Sequence, residues 1–138
     1  MLAPVSITGI GKCVPQKVVT NDELTQLVET SDEWISKRTG IRSRHIAVEE
    51  TAISLAVSAA KDALTMSGEA PEDVGVIVAC TITGEELTPS LAGRVQKALN
   101  IPVCAAMDVS AGCTGFVYAL VTAASLMDAL NQDVAIVV

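Results

Sequence analysis

The segment Asp108-Val109-Ser110-Ala111-Gly112-Cys113-Thr114-Gly115-Phe116 concentrates the residue types that can do chemistry. An apolar run precedes it and a long, nearly uncharged stretch follows, so the pattern predicts a strand turning through small residues into a helix that starts at Cys113. Unpaired amides and the positive end of a helix dipole stabilise a thiolate and favour nucleophilic attack at neutral pH. Gly112 and Gly115 would let backbone and substrate approach closely. The residues alone leave a second reading open, because free Cys is among the most buried residue types and small residues also ease strand–helix packing. Cys13, Cys80 and Cys104 form no CxxC pair with Cys113 or with one another, and a single His, His45, cannot complete a Cys/His metal cluster. No metal site is expected, and reduced thiols in a cytoplasmic protein fit this usage.

The elements that must position this cysteine follow from composition and periodicity. Among 138 residues there are 19 Ala and 18 Val but one Phe, one Tyr and one Trp, which favours tightly packed helices over a Val-rich sheet and predicts an α/β fold. A formal charge of −7 repels phosphate backbones and anionic head groups, so neither nucleic acid nor a membrane surface is expected as a partner. Residues 109–127 carry no charge, but their Ser, Thr and Gly content points to a buried helix rather than a membrane span. The N-terminus lacks the charged and apolar regions of a secretory signal.

Along the chain, the apolar run 5–10 reads as a first strand. Thr20 with Glu23, and Thr30 with Glu33, have capping-box spacing and predict helices over 21–28 and 31–38, the second stopped by Gly40. An Arg-rich extended segment is expected over 41–47, a helix with core positions Ile53, Ala56, Val57, Ala60 and Leu64 before Gly68, and a fully covered strand over 74–79. Thr88 and Pro89 then open a helix closed by Asn100, followed by a strand over 102–109, the helix 113–130 and a last strand at 134–138. Alternation of this kind implies right-handed βαβ connections. Because the sequence stops within an apolar strand, the chain is expected to be the N-terminal half, residues 1–138, of a longer protein or of a two-chain assembly.

Three stretches in this order, Thr30-Ser31-Asp32-Glu33-Trp34-Ile35, Arg38-Thr39-Gly40-Ile41-Arg42 with Arg44-His45-Ile46, and Gly112-Cys113-Thr114-Gly115-Phe116, closely resemble the N-terminal part of β-ketoacyl-acyl carrier protein synthase III. That family belongs to the thiolase-like condensing enzymes, so the resemblance implies a thiolase-like layered α/β fold with a mostly parallel sheet covered by helices. It implies an acyltransferase of fatty acid or polyketide chain initiation. An acyl group moves from coenzyme A to a Cys, matched here by Cys113, and decarboxylated malonyl-acyl carrier protein attacks the thioester. Trp34 and Arg38 match the residues that grip the nucleotide of coenzyme A, and Thr30 lies in the same stretch with a hydroxyl to lend. An indole face stacks on adenine, and a guanidinium pairs with phosphate.

The resemblance implies acyl-coenzyme A and malonyl-acyl carrier protein as partners, a homodimer, a cytoplasmic location and no cofactor, since coenzyme A enters as part of the substrate. The family's catalytic His and Asn come from its C-terminal half, so His45 is read as a surface or salt-linked residue, and the isolated chain is expected to be incomplete for condensation and to self-associate. A non-catalytic half-chain that serves as the structural partner of a complementary subunit has the same sequence features. Thr88 matches the position that, in the family, reaches across the dimer to the end of the partner's acyl pocket, where an aromatic residue restricts the primer. A Thr there implies room for longer primers, against the alternative that Thr88 caps the helix after it.

Overall fold

Val74–Cys80 is a nearly unbroken apolar run, and its burial sets the architecture. In the computed structural model, which describes residues 4–138, this strand is β3 and lies between two parallel neighbours, β4 (Ala105–Val109) and β5 (Val134–Val137), in the order β4-β3-β5. A register shift at Gly75 offsets the alternation. Val74, Ile77 and Ala79 therefore pack with α3 (Ala52–Ser67) and α4 (Leu91–Ala98), while Val76 and Val78 meet Ala119 and Ala123 of α5 (Gly115–Leu130). Three layers result, and β3 is covered on both faces as the sequence predicts. The crossovers run in opposite directions across the sheet on opposite faces, which is what a constant hand of connection requires.

These elements form one unit, made of the residues up to Cys13 together with Ala52–Val138. Gly68, at φ +76°, ends α3 where expected, its N–H donating to the Leu64 carbonyl at 3.0 Å. Several features differ from the sequence reading; β4 starts at Ala105 rather than at 102, and α5 at Gly115 rather than at Cys113. Segment 5–10 is not a strand; no described residue supplies it with a ladder. It runs instead against α3, where a Cβ on Gly9 or Gly11 would fall on the carbonyls of Ala63 and Ala59. Helix α4 starts at Leu91 with Ser90 as its N-cap, so Thr88 is not the cap; the Thr88–Pro89 peptide before it is cis. Helix α5 is buried along the stripe Gly115, Ala119 and Ala123 but not all round, because the sheet covers one side only. By length and composition alone, Gly112–Leu130 could cross a membrane.

The second unit, Val14–Thr51, is built differently. It pairs β1 (Lys17–Thr20) antiparallel with β2 (Ser43–Ile46) and carries α1 (Asn21–Leu24) and α2 (Asp32–Thr39). The Thr20–Glu23 capping box forms as predicted, but α1 is one turn long rather than reaching Val28. Leu27 and Val28, 78% and 57% exposed, have no core to enter, so apolar burial cannot extend the helix. The N-cap of α2 is Ser31, which accepts from the Trp34 N–H at 3.1 Å; the neighbouring hydroxyl wins over Thr30. Gly40, at φ +73°, closes α2 as expected.

Candidate functional site

Strand β4 brings the chain to the cysteine through Asp108. The carboxylate of Asp108 accepts from the N–H groups of Leu91 (2.7 Å) and Ala92 (2.8 Å), and the Ser90 hydroxyl accepts from Gly93 (3.1 Å). All three free amides in the first turn of α4 are thereby satisfied, and the end of β4 is pinned to the start of α4. Beyond Val109 the chain makes a single 3-10 turn, Gly112–Thr114, before α5 begins at Gly115. Cys113 thus lies in that turn, two residues before the α-helix proper, and is exposed.

The two glycines flanking Cys113 have separate reasons to be there. Gly112 adopts φ +54°, a left-handed conformation that disfavours any Cβ, whereas a Cβ on Gly115 would fall on the sulfur of Cys80 at the end of β3. The Thr114 hydroxyl donates to the Ala111 carbonyl at 3.1 Å and holds the turn from within. Main-chain geometry, with the Thr114 hydroxyl bracing the turn, therefore presents the Cys113 thiol. Cys104, by contrast, is partly buried, and desolvation pushes its thiol pKa up.

Thr88 is exposed in the loop between β3 and α4, in the same unit as Cys113. That loop is tied down by Glu85, which pairs with Arg94 of α4 at 3.0 Å and accepts from the Ala52 N–H at 2.8 Å. His45 belongs to the other unit, on β2, where its Nδ1 hydrogen-bonds the Pro15 carbonyl rather than a carboxylate. It is a surface residue, as expected, but not salt-linked among the described residues.

Thr30, Trp34 and Arg38 gather on α2 and its approach. Trp34 is 56% exposed, and the Arg38 guanidinium lies 5.1 Å from the centre of the indole ring, one helical turn away. Two clefts meet at the indole. One, of about 300 Å³, is lined by Glu29, Thr30, Ser31 and Trp34, and the other, of about 530 Å³, by Ser31, Glu33, Trp34, Lys37 and Arg38. An exposed indole suits stacking with a flat aromatic ring, and Lys37 and Arg38 offer positive charge to phosphates on a lining that also holds Glu29 and Glu33.

Two residues that shape these sites had no local signal in the sequence. Asp108 bonds to partners sixteen and seventeen residues away. Asn21, 1% exposed, is the buried polar residue among those described, and it holds α2.

No family profile matches the chain. Similar sequences are nevertheless plain. A protein named beta-ketoacyl-[acyl-carrier-protein] synthase III from Thioalkalivibrio sulfidiphilus is 51% identical over 115 residues, 83% of this chain and 36% of that protein. One of the same name from Rhodospirillum centenum is 47% identical over 133 residues, 96% of this chain and 41% of the relative. The crystal structure of 3-oxoacyl-[acyl-carrier-protein] synthase III from Aquifex aeolicus superposes with a TM-score of 0.91 at 42% identity, over 95% of this chain and 42% of that one. The priming beta-ketosynthase of the R1128 polyketide pathway gives 0.87 at 34% identity, over 91% of this chain and 38% of that one. The chain spans about two fifths of the length of these relatives. The fold is thiolase-like, as the sequence led us to expect.

Proposed function

We propose that this chain, kin over nearly its whole length to the β-ketoacyl-acyl carrier protein synthases III, carries the acyl-accepting cysteine and part of the coenzyme A site of a condensing acyltransferase. The exposed Cys113 on a glycine-enforced turn between β4 and α5 is the observation that carries this reading. In the first half-reaction the Cys113 thiolate attacks the thioester carbonyl of an acyl-coenzyme A. The tetrahedral intermediate collapses, the acyl–sulfur bond to coenzyme A breaks, and coenzyme A leaves as a thiolate that takes up a proton. In the second, malonyl-acyl carrier protein loses carbon dioxide. The resulting carbanion equivalent forms a carbon–carbon bond to the acyl carbonyl and releases Cys113 as a thiolate.

Trp34, Arg38 and Thr30 hold the nucleotide end of coenzyme A in this reading. Thr88 borders the end of an acyl pocket across a homodimer. The His and Asn that the resemblance assigns to carbonyl binding and decarboxylation come from the remainder of a longer protein, which would work in the cytoplasm. Catalysis of the second half-reaction rests on that electrostatic stabilisation, in which one donor is worth about a hundredfold or more.

Intact mass after incubation with acetyl-coenzyme A tests the first half-reaction. One acetyl group that maps to Cys113 and is absent from Cys113→Ala is expected. A chain that gains none, while its fold is intact, is a structural partner and not an acyl carrier.

A further inference from the structure

The second unit buries no apolar side chain among its described residues; its buried residue is Asn21. Helix α2, which carries Trp34 and Arg38, likewise has no buried residue. With Ile35 only half-buried, the helix has a slight hydrophobic face, and hydrogen bonds hold it as well. The Asn21 carboxamide donates to Asp32 Oδ1 at 2.7 Å and to the Ile41 carbonyl at 2.8 Å, and Ser36 Oγ lies at 3.4 Å. Its own oxygen accepts from Arg44, whose other terminal nitrogen donates to the Val19 carbonyl at 3.1 Å. Ser36 donates to Asp32 at 3.0 Å, closing the network. One amide thereby ties the first turn of α2, the chain just after it, and the β1–β2 pair.

Helix geometry gives this hub its consequence. Residues two apart on an α-helix point about 200° apart, so Trp34 and Arg38 occupy the face opposite Asp32 and Ser36. The hub grips one side of α2 and leaves the other to project the indole and the guanidinium. The Asp32 carboxyl is held below its usual range by the hydrogen bonds from Asn21 and then Ser36, so it stays charged within the hub.

We propose that Asn21, through Asp32 and Ser36, is the positioning residue of the nucleotide-binding face formed by Trp34 and Arg38. The inference rests on the reading of that face as a coenzyme A site, and the experiment separates the two. Trp34 is the one tryptophan of the chain, so its fluorescence reports binding directly as free coenzyme A is titrated in. Asn21→Asp removes both donors and sets a carboxylate beside Asp32. It is expected to raise the dissociation constant about tenfold, the size of effect that one lost charged hydrogen bond produces.

Alkylation of Cys113 by iodoacetamide, which needs no nucleotide, should keep its wild-type rate in Asn21→Asp. The exchange variant Asn21→Asp with Asp32→Asn restores a hydrogen bond of reversed polarity between the two positions but leaves a carboxylate facing the Ile41 carbonyl, so its dissociation constant should fall between those of the single variant and wild type. Wild-type affinity in Asn21→Asp overturns the proposal. So does a parallel fall of affinity and alkylation rate, or an exchange variant that binds no better than the single one. Failure of the wild-type chain to bind coenzyme A overturns the nucleotide-site reading itself, and this inference with it.

Discussion

Replacing Asp108 tests whether the strand carrying the cysteine turn is anchored as its geometry requires. The carboxylate accepts two N–H groups of α4 at 2.7 and 2.8 Å, both bonds being charge-assisted and directed at the positive end of the helix. Hydrogen bonds to charged groups contribute about 1.5–3 kcal/mol each, and Asp108 is half-buried, which places each near the lower limit. Asp108→Ala should therefore destabilise the protein by about 3 kcal/mol. Asp108→Asn, which keeps one uncharged bond and turns an amide nitrogen toward the other donor, should cost most of that, about 2 kcal/mol. Urea denaturation reads this directly. With m of about 1–3 kcal/mol/M for a small domain, the alanine variant should lower the midpoint by about 1–3 M at unchanged m. Ser90→Ala, which removes one ordinary N-cap bond, calibrates the scale at about 1 kcal/mol. An Asp108→Ala midpoint no lower than that of Ser90→Ala would refute the reasoning, because the two carboxylate bonds would then contribute no more than a single hydroxyl.

Cys113 should be the first thiol alkylated by iodoacetamide at neutral pH and Cys104 the slowest, since burial raises the Cys104 pKa and shrinks its thiolate fraction; peptide mapping that finds Cys13, Cys80 or Cys104 labelled first removes Cys113 as the nucleophile. Glu50, whose carboxylate accepts the Gln16 and Val48 N–H groups, has its pKa lowered from 4.5 to about 2. Its folded-state pKa is the lower one, so its contribution to stability is complete above about pH 4.5 and is lost as pH falls through about 2. Melting curves of Glu50→Gln should match wild type near pH 2 and fall below it by pH 6; a constant difference across that range refutes the linkage. On the proposed reading, Thr88→Phe in a condensing enzyme that contains this chain should lower the ratio of kcat/KM for octanoyl- over acetyl-coenzyme A, because each excluded methylene forfeits about 0.8 kcal/mol; an unchanged ratio removes Thr88 from the acyl pocket.

What could be read from the sequence was what short-range physics decides. The helix over α3 follows from Ala56, Ala60 and Leu64 at helical spacing with Gly68 as its stop, and β3 from its continuous apolar run. The layered fold and the placement of Cys113 between β4 and α5 follow from elements of that kind. Two of the misses turned on partners distant in sequence. Segment 5–10 has the apolar pattern of a strand, yet a strand exists only through pairing, and its described contacts are with α3. Strand β1 went unread because Lys17–Thr20 becomes a strand only by pairing with Ser43–Ile46. Capping-box spacing pointed to Thr30 as the cap of α2, but the Ser31 hydroxyl beside it takes the Trp34 N–H, a choice that residue spacing does not make.

The two units show why the site residues differed in how readily they could be found. Around Cys113 the requirement falls on the backbone: a left-handed Gly112, a Gly115 that leaves room for the Cys80 sulfur, and a strand end fixed to α4. Backbone requirements of this kind write themselves into sequence as glycines around one reactive residue, and so the motif is visible. Around Trp34 the requirement falls on a polar network whose members, Asn21, Asp32, Ser36 and Arg44, are spread over 24 residues with no periodicity to join them. Each of them reads locally as a cap, a turn or a surface charge. A buried carboxamide in a unit without an apolar core can only be inferred once its partners are placed, because its energy comes from satisfying every donor and acceptor at once. The same fact makes the network specific: one substitution leaves several groups unpaired together, whereas loss of one methyl from the layered unit removes only its own contacts and leaves a small cavity.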